Sequence, residues 1–235
     1  MLRCADFNSR VACYYGALAF SCLFLLLAAA RASTEFDVPP GAEAKPTSIV
    51  AGPDGNLWVF ESGRQSIARM TPTGQLTEFS IPAGVTVGRM IAGPDGAIWF
   101  TDSVYSQIGR MSLTGALTLY PLTPGWYAVD ITSSVDGNLW FTEISQFAGR
   151  LARMTTCGVV TEFGNASYAG LITSDLDGNL WIAYGGLYKV SPSGVTLGTF
   201  NPCPSSQFGG QYVTWVPTTT FGLPGPAATS LLVVW

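Results

Sequence analysis

Three carboxylates recur in this chain at one spacing. Glu61, Asp102 and Glu143 each follow a tryptophan (Trp58, Trp99, Trp140) by three residues, and each lies 41 residues from the next. A repeating architecture would carry them to one register, at the end of a strand facing a central channel. Converging carboxylates raise one another's pKa or hold a cation, because hard divalent ions take several oxygen ligands. The three are therefore candidate metal ligands. The plainer reading is that they are solvated or paired with arginine, where an ion pair adds little. Histidine, the commonest general base near neutral pH, is absent from the whole chain. No CxxC motif offers a sulfur site either.

The elements that position these acids are spelled out in recurring words. "DGNLW" occurs at Asp54–Trp58, Asp136–Trp140 and Asp177–Trp181, and "DGAIW" at Asp95–Trp99, so the four aspartates are 41 residues apart. Further words follow in each unit. Ile67-Ala68-Arg69-Met70 returns as Ile108-Gly109-Arg110-Met111, as Leu151-Ala152-Arg153-Met154 and as Leu187-Tyr188-Lys189-Val190. A second turn comes at Thr73-Gly74, Thr114-Gly115, Cys157-Gly158 and Ser193-Gly194. The unit closes with Thr77-Glu78-Phe79, Thr118-Leu119-Tyr120, Thr161-Glu162-Phe163 and Thr199-Phe200. A first apolar run precedes each Asp-Gly, at 48–51, 89–92, 129–132 and 170–173.

Each unit thus holds four short runs rich in Val, Ile, Thr, Phe and Trp, separated by turn residues, which is the signature of strands. Asp-Gly between two such runs marks a hairpin, because glycine accepts the positive φ of a tight turn. Runs such as "LWVF" are apolar at adjacent positions, so both faces of these strands must be covered. Four-stranded sheets stacked radially provide that cover. The expectation is an all-β propeller with four recognisable four-stranded blades and a partial fifth, in an incomplete ring. The period-locked Trp, Phe and Met positions are then packing between blades, and the four aspartates are turn formers. Arg69, Arg110 and Arg153 are either surface charges or partners of acids in adjacent blades.

The ends read differently. Arg3 and Arg10 precede an uncharged run from Val11 to Ala30, which closes on Ala30-Arg31-Ala32. That is the pattern of a secretory signal peptide over residues 1–32, cleaved near Ala32; left uncleaved, the run could just span a bilayer. The expected organisation is a signal peptide, blades over 33–200, and an irregular, charge-free tail over 201–235. Thr34-Glu35-Phe36 is an isolated fourth-strand word. In the tail, Tyr212–Val216 and Ser230–Trp235 could supply a first and a second strand. Truncation or gene decay is favoured over a true four-bladed ring, and the unfinished edge could mediate self-association.

The location expected is secreted or periplasmic, where a Cys157–Cys203 disulfide is permitted, and where Asn165-Ala166-Ser167 would be a glycosylation sequon in a eukaryotic host. Loss of residues 1–32 leaves 8 basic and 14 acidic residues, a net charge of −6. That excludes a phosphate-backbone partner, since nucleic-acid binding rests on Lys and Arg.

Taken together, "GPDGNLWVFE", "GPDGAIWFTD", "SVDGNLWFTE" and the Arg-Met and Thr-Glu-Phe words resemble the streptogramin (virginiamycin B) lyases over about residues 34–200. The resemblance implies a seven-bladed propeller, of which nearly three blades would be missing. It also implies Mg²⁺-dependent elimination at the ester bond of a cyclic streptogramin B antibiotic. In the family one blade carries a metal-binding Glu, a catalytic His two residues on, and a second Glu closing the "WFTE" word. The His position, seven residues before the turn Asp, holds Thr47, Gly88, Val129 and Gly170. The first Glu position holds Lys45, Thr86, Tyr127 and Tyr168. Only the last is acidic, at Glu61, Asp102 and Glu143, with Tyr184 in the fourth unit.

A general base is lacking and the Mg²⁺ or Ca²⁺ site is incomplete. The expected function is a non-catalytic exported propeller that offers its channel face to a small molecule or protein. The alternatives are an incomplete product of a lyase gene, a lactonase-like propeller enzyme with a divalent cation in its channel, and a decayed fragment with no stable fold. The hairpin assignment predicts that Gly96→Val costs about 1–2 kcal/mol, the penalty of a left-handed conformation for a residue with a Cβ. The melting temperature should fall by several degrees, and an unchanged value would count against the turn.

Overall fold

Each Asp-Gly pair does reverse the chain, with φ of +74, +73, +74 and +82° at Gly55, Gly96, Gly137 and Gly178. The structure is a computed structural model. It describes residues 44–200 except 103 and 165–168, and two strands at 212–217 and 229–234. The signal-peptide segment, Thr34–Phe36, the sequon, Tyr168 and Cys203 with its pairing to Cys157 lie outside the described residues. No described helix is long and apolar enough to cross a membrane.

The first blade is β1 (Pro46–Ala51), β2 (Leu57–Glu61), β3 (Ser66–Met70) and β4 (Leu76–Ser80). The second is β5 (Val87–Ala92), β6 (Ile98–Asp102), β7 (Gln107–Met111) and β8 (Leu117–Pro121). The third is β9 (Tyr127–Ser133), β10 (Leu139–Ile144), β11 (Gly149–Met154) and β12 (Val160–Phe163). The fourth is β13 (Leu171–Ser174), β14 (Leu180–Ala183), β15 (Leu187–Val190) and β16 (Thr196–Phe200). Every sheet is antiparallel in chain order. The first strands β1, β5, β9 and β13 stand side by side as the inner wall. β17 (Tyr212–Pro217) and β18 (Thr229–Val234) pair antiparallel as a two-stranded fifth sheet, with β17 beside β13. The expected four blades and partial fifth are therefore present.

The core lies in the seams. Trp58 and Phe60 of blade 1 pack on Met90, Ile98, Phe100 and Met111 of blade 2. Trp99 and Ile108 meet Ile131, Leu139, Phe141 and Met154 of blade 3. Trp140 and Leu151 meet Ile172, Leu180, Ile182 and Val190 of blade 4. Trp58, Trp99 and Trp140 are wholly buried. Each removes on the order of 200 Å² from water, worth about 5 kcal/mol of transfer free energy. A net hydrogen bond contributes about 1 kcal/mol, so the indole ring itself is the main adhesive.

Each indole is also oriented. Its Nε1–H donates to the turn carboxylate, at 3.1 Å for Trp58 to Asp54, 2.8 Å for Trp99 to Asp95 and 3.1 Å for Trp140 to Asp136. The outer-strand aromatic of the same blade stacks on it: Phe79, Tyr120 and Phe163, at 5.6, 5.4 and 5.1 Å between centroids. That aromatic then lies under the β3–β4-type turn of the next blade. A Cβ at Gly115 would sit 2.1 Å from Phe79, one at Gly158 2.4 Å from Tyr120, and one at Gly194 2.2 Å from Phe163.

The fourth blade departs from the motif. Trp181 Nε1 donates to Asp175, at 3.0 Å, and not to Asp177, which is exposed. Asp175 also accepts from Asn179 and lies 3.6 Å from the Lys189 ammonium. The reason is steric. In blades 1 and 2 the position two before the motif Asp is Gly52 or Gly93, and the indole and carboxylate fill the space above it. In blade 4 that position is itself an aspartate, whose side chain takes the space and the hydrogen bond.

The arginines differ from expectation too. Arg69 donates to the Leu113 carbonyl of the next blade at 2.9 Å, Arg110 pairs with Asp95 of its own blade at 2.7 Å, and Arg153 lies 5.6 Å over Trp140. They cover the indoles rather than face solvent alone.

The indole of Trp99 leaves no space above Gly93. A Cβ at Gly93 would lie 2.1 Å from Trp99 Cδ1. Gly93→Ala should displace the indole and cost about 1–3 kcal/mol, the range for overpacking. Ala at the already substituted Ser134 should be tolerated, and thermal unfolding of both variants checks the contrast.

Candidate functional site

In a propeller the side chains at the inner wall and at the ends of the second strands are the ones placed to meet a ligand. Glu61, Asp102 and Glu143 do share one register, closing β2, β6 and β10. They are not solvated. All three are buried, and each is engaged within its own blade.

Glu61 accepts from Ser66 Oγ at 3.1 Å, with Arg64 at 3.9 Å. Asp102 is a loop organiser: it accepts the backbone N–H of Thr86, Val104 and Tyr105, and Gln107 Nε2 at 2.7 Å. Glu143 is held by Arg150 Nε at 2.6 Å, and Arg150 in turn reaches Glu162 at 2.6 Å and lies 3.9 Å over Trp126. Burial pushes the Glu143 carboxyl above its ordinary range, against the pull of Arg150.

Glu143 Oε1 is buried without a hydrogen-bond partner. That is the one acceptor in the row that a cation would satisfy. Its other oxygen already neutralises a guanidinium, however, and among the described residues no three His, Cys, Asp or Glu side chains gather. Mg²⁺ takes near-octahedral oxygen ligation, with several waters among its ligands, and of this row of acids it is Glu143 that offers an unengaged buried oxygen.

The inner wall carries charges that the motif reading passed over. Arg89 on β5 and Asp130 on β9 both lie six residues before their turn aspartates, and so occupy equivalent places in neighbouring blades. Asp130 is buried and ties three blades together. Its carboxylate accepts the Ile172 N–H of blade 4 at 2.9 Å and the Ile131 N–H at 3.0 Å, and lies 3.4 Å from Arg89 Nε of blade 2. Burial pushes its carboxyl above the ordinary carboxylate range, against these contacts. The available signal was periodic: one register reads Ser48, Arg89, Asp130, Leu171, with opposite charges on adjacent strands.

A cleft of about 460 Å³ at the inner edge of β1 is lined by Pro46, Thr47, Ser48, Ile49, Val59, Gly88 and Arg89, with Ile49 and Val59 on the face of blade 1 opposite the one that packs on blade 2. A smaller hollow of about 250 Å³ lies at the β10–β11 hairpin, bordered by Phe147 and Tyr184. Tyr184, the fourth-blade counterpart of the acids, is exposed there.

Radial, four-stranded antiparallel blades with Trp-filled seams define the class as a β-propeller. The model of the virginiamycin B lyase family matches residues 27–195, and the chain belongs to that family. Among solved structures, a virginiamycin B lyase from Staphylococcus aureus is 27% identical, with a TM-score of 0.64 over 74% of this chain and 61% of that one. A catalytically inactive form of virginiamycin B lyase from the same organism, with quinupristin, is 28% identical, with a TM-score of 0.63 over 72% and 60%. A gluconolactonase from Xanthomonas campestris, at 20% identity and a TM-score of 0.54 over 67% of this chain and 62% of that one, shares the fold. The chain spans about 60% of the length of the lyases it matches. Comparison with the curated proteins gives no match.

The Asp130 geometry sets a pH dependence. A carboxyl held above its usual range binds its proton more tightly in the native state. Its contribution to stability is then present below about pH 4 and lost as pH rises through the raised value. Asp130→Asn keeps an acceptor for Ile172 but has no such loss. Urea unfolding should show the stability of Asp130→Asn rising relative to the parent between pH 4 and 7. A difference, variant minus parent, that stays flat or falls as pH rises would contradict this.

Proposed function

We propose that this chain is a non-catalytic, exported member of the virginiamycin B lyase family that presents the inner wall of its blades to a small-molecule or protein ligand. One observation carries the reading. The four positions where the family resemblance puts the base hold Thr47, Gly88, Val129 and Gly170, and none of these exchanges a proton near neutral pH.

Gly170 adds a steric argument. A Cβ there would lie 1.8 Å from the Ala183 carbonyl oxygen and 2.8 Å from Tyr184 Cβ. Thr142 Oγ1 donates to the Gly170 carbonyl at 2.6 Å and holds the strand in place. Backbone cannot yield as a flexible side chain does, so blade 4 has no room for an imidazole.

The acids support the same reading. Elimination requires a group that takes a proton from the substrate, and Glu61, Asp102 and Glu143 are buried in local hydrogen bonds instead. Export is inferred from the N-terminal segment, with its basic start, apolar middle and small-residue end.

Family membership favours a second reading, lyase activity on a cyclic streptogramin B antibiotic. The purified chain incubated with such an antibiotic, with and without Mg²⁺, should leave the ring intact. Ring opening above the protein-free rate would overturn the non-catalytic reading.

A further inference from the structure

Two of the three periodic acids belong to a constellation that the chain builds twice. In blade 3 the Arg150 guanidinium lies between Glu143, 2.6 Å from its Nε, and Glu162 of the outer strand, 2.6 Å from a terminal nitrogen. In blade 1 the Arg64 guanidinium lies between Glu61, at 3.9 Å, and Glu78 of the outer strand, with which it pairs. Glu78 and Glu162 hold the same place in the Thr-Glu-Phe word, but the two arginines come from different places. Arg64 stands in the turn before β3, and Arg150 within β11. Blade 2 has Leu119 where the outer glutamate would be, and there a neutral amide, Gln107, serves Asp102. An arginine thus enters where two carboxylates face each other, and from whichever position the blade offers.

Depth explains the demand. The Glu61 and Glu143 side chains are 3% and 0% exposed, and those of Arg64 and Arg150 are 14% and 10% exposed. A carboxylate so far from water calls for a positive charge or donors around it. Arg150 is also fixed from a third side, over the Trp126 ring at 3.9 Å. It cannot swing away without leaving two acids and an aromatic face. One demand stays unmet: Glu143 Oε1 is buried without a hydrogen-bond partner, in a place where two carboxylates share one positive charge.

We propose that Arg64 and Arg150 are tethered cations, each filling from within the chain a two-carboxylate site that a hard metal ion would otherwise take. A guanidinium within reach of both acids occupies their oxygens and repels a second cation. Displacing it would strand a buried charge. With the arginine gone, Glu143 brings two free oxygens and Glu162 a second carboxylate, the donor type that hard cations select.

The test follows tryptophan-sensitised terbium(III) luminescence on the full chain. Arg150→Ser gives blade 3 the residue that faces the acid in blade 1, where Ser66 lies opposite Glu61 as Arg150 does Glu143. It should bind terbium at least tenfold more tightly than the parent, and adding Glu143→Gln should abolish the gain. In the parent, Glu143→Gln should leave terbium binding unchanged. Should Arg150→Ser not fold, Arg150→Gln, with the neutral amide of blade 2, takes its place with the same gain expected. Arg64→Gln, with and without Glu61→Gln, repeats the comparison in blade 1.

Terbium binding by the parent that Glu143→Gln weakens tenfold would overturn the proposal. So would a folded arginine variant that binds no better than the parent, or a gain that survives loss of the inner glutamate. These measurements read cation binding and ring opening reads the non-catalytic proposal, so each can fail without the other.

Discussion

Everything in this molecule hangs on an indole pinned at the seam between two sheets. A four-stranded blade has two apolar faces and no means of burying either alone, so its stability comes from the neighbour. The tryptophan after each Asp-Gly turn supplies the largest buried surface. The turn carboxylate fixes its edge by accepting the indole N–H, and the outer-strand aromatic stacks on its face. The next blade's glycine turn then lies on that aromatic. Orientation costs little and contributes little by itself. Its value is that a large ring set at one angle leaves a surface onto which an identical neighbour can dock.

This constraint explains which parts of the fold were legible in the residues. Adjacent apolar positions in "LWVF" and "LWFT" mark strands covered on both faces, and fixed-interval Asp-Gly pairs mark the hairpins. Blade number, strand order and the first-strand positions follow from those two patterns. The partner of each indole was legible only where the motif was intact. In blade 4, Asp177 occupies the motif position and Asp175 does the work. That exchange depends on which residue's Cβ sits beneath the ring, a matter of two or three ångströms that residue order alone does not express.

The candidate site was less legible, because repetition conceals as well as reveals. The periodic acids looked convergent when viewed down the chain, yet Glu61 turns to Ser66, Asp102 to a loop, and Glu143 to Arg150. Register specifies a level in the blade and says nothing of the direction in which a long side chain folds back. Arg89 and Asp130, by contrast, hide among the variable positions of the inner strands. Their connection appears only once β5, β9 and β13 are known to stand side by side, so that one buried carboxylate can touch three blades. The repeat thus governs the seams, while the inner wall carries a charge pair, Arg89 with Asp130, that the repeat does not spell out.

The handover from Asp177 to Asp175 has a consequence for what a change in this repeat would disturb. Blade 4 holds two carboxylates where one suffices. The indole's partner and the turn former are therefore separate residues in blade 4, where one aspartate serves both purposes in the other blades. A change at Asp177 would bear on the turn alone, and one at Asp175 on the seam.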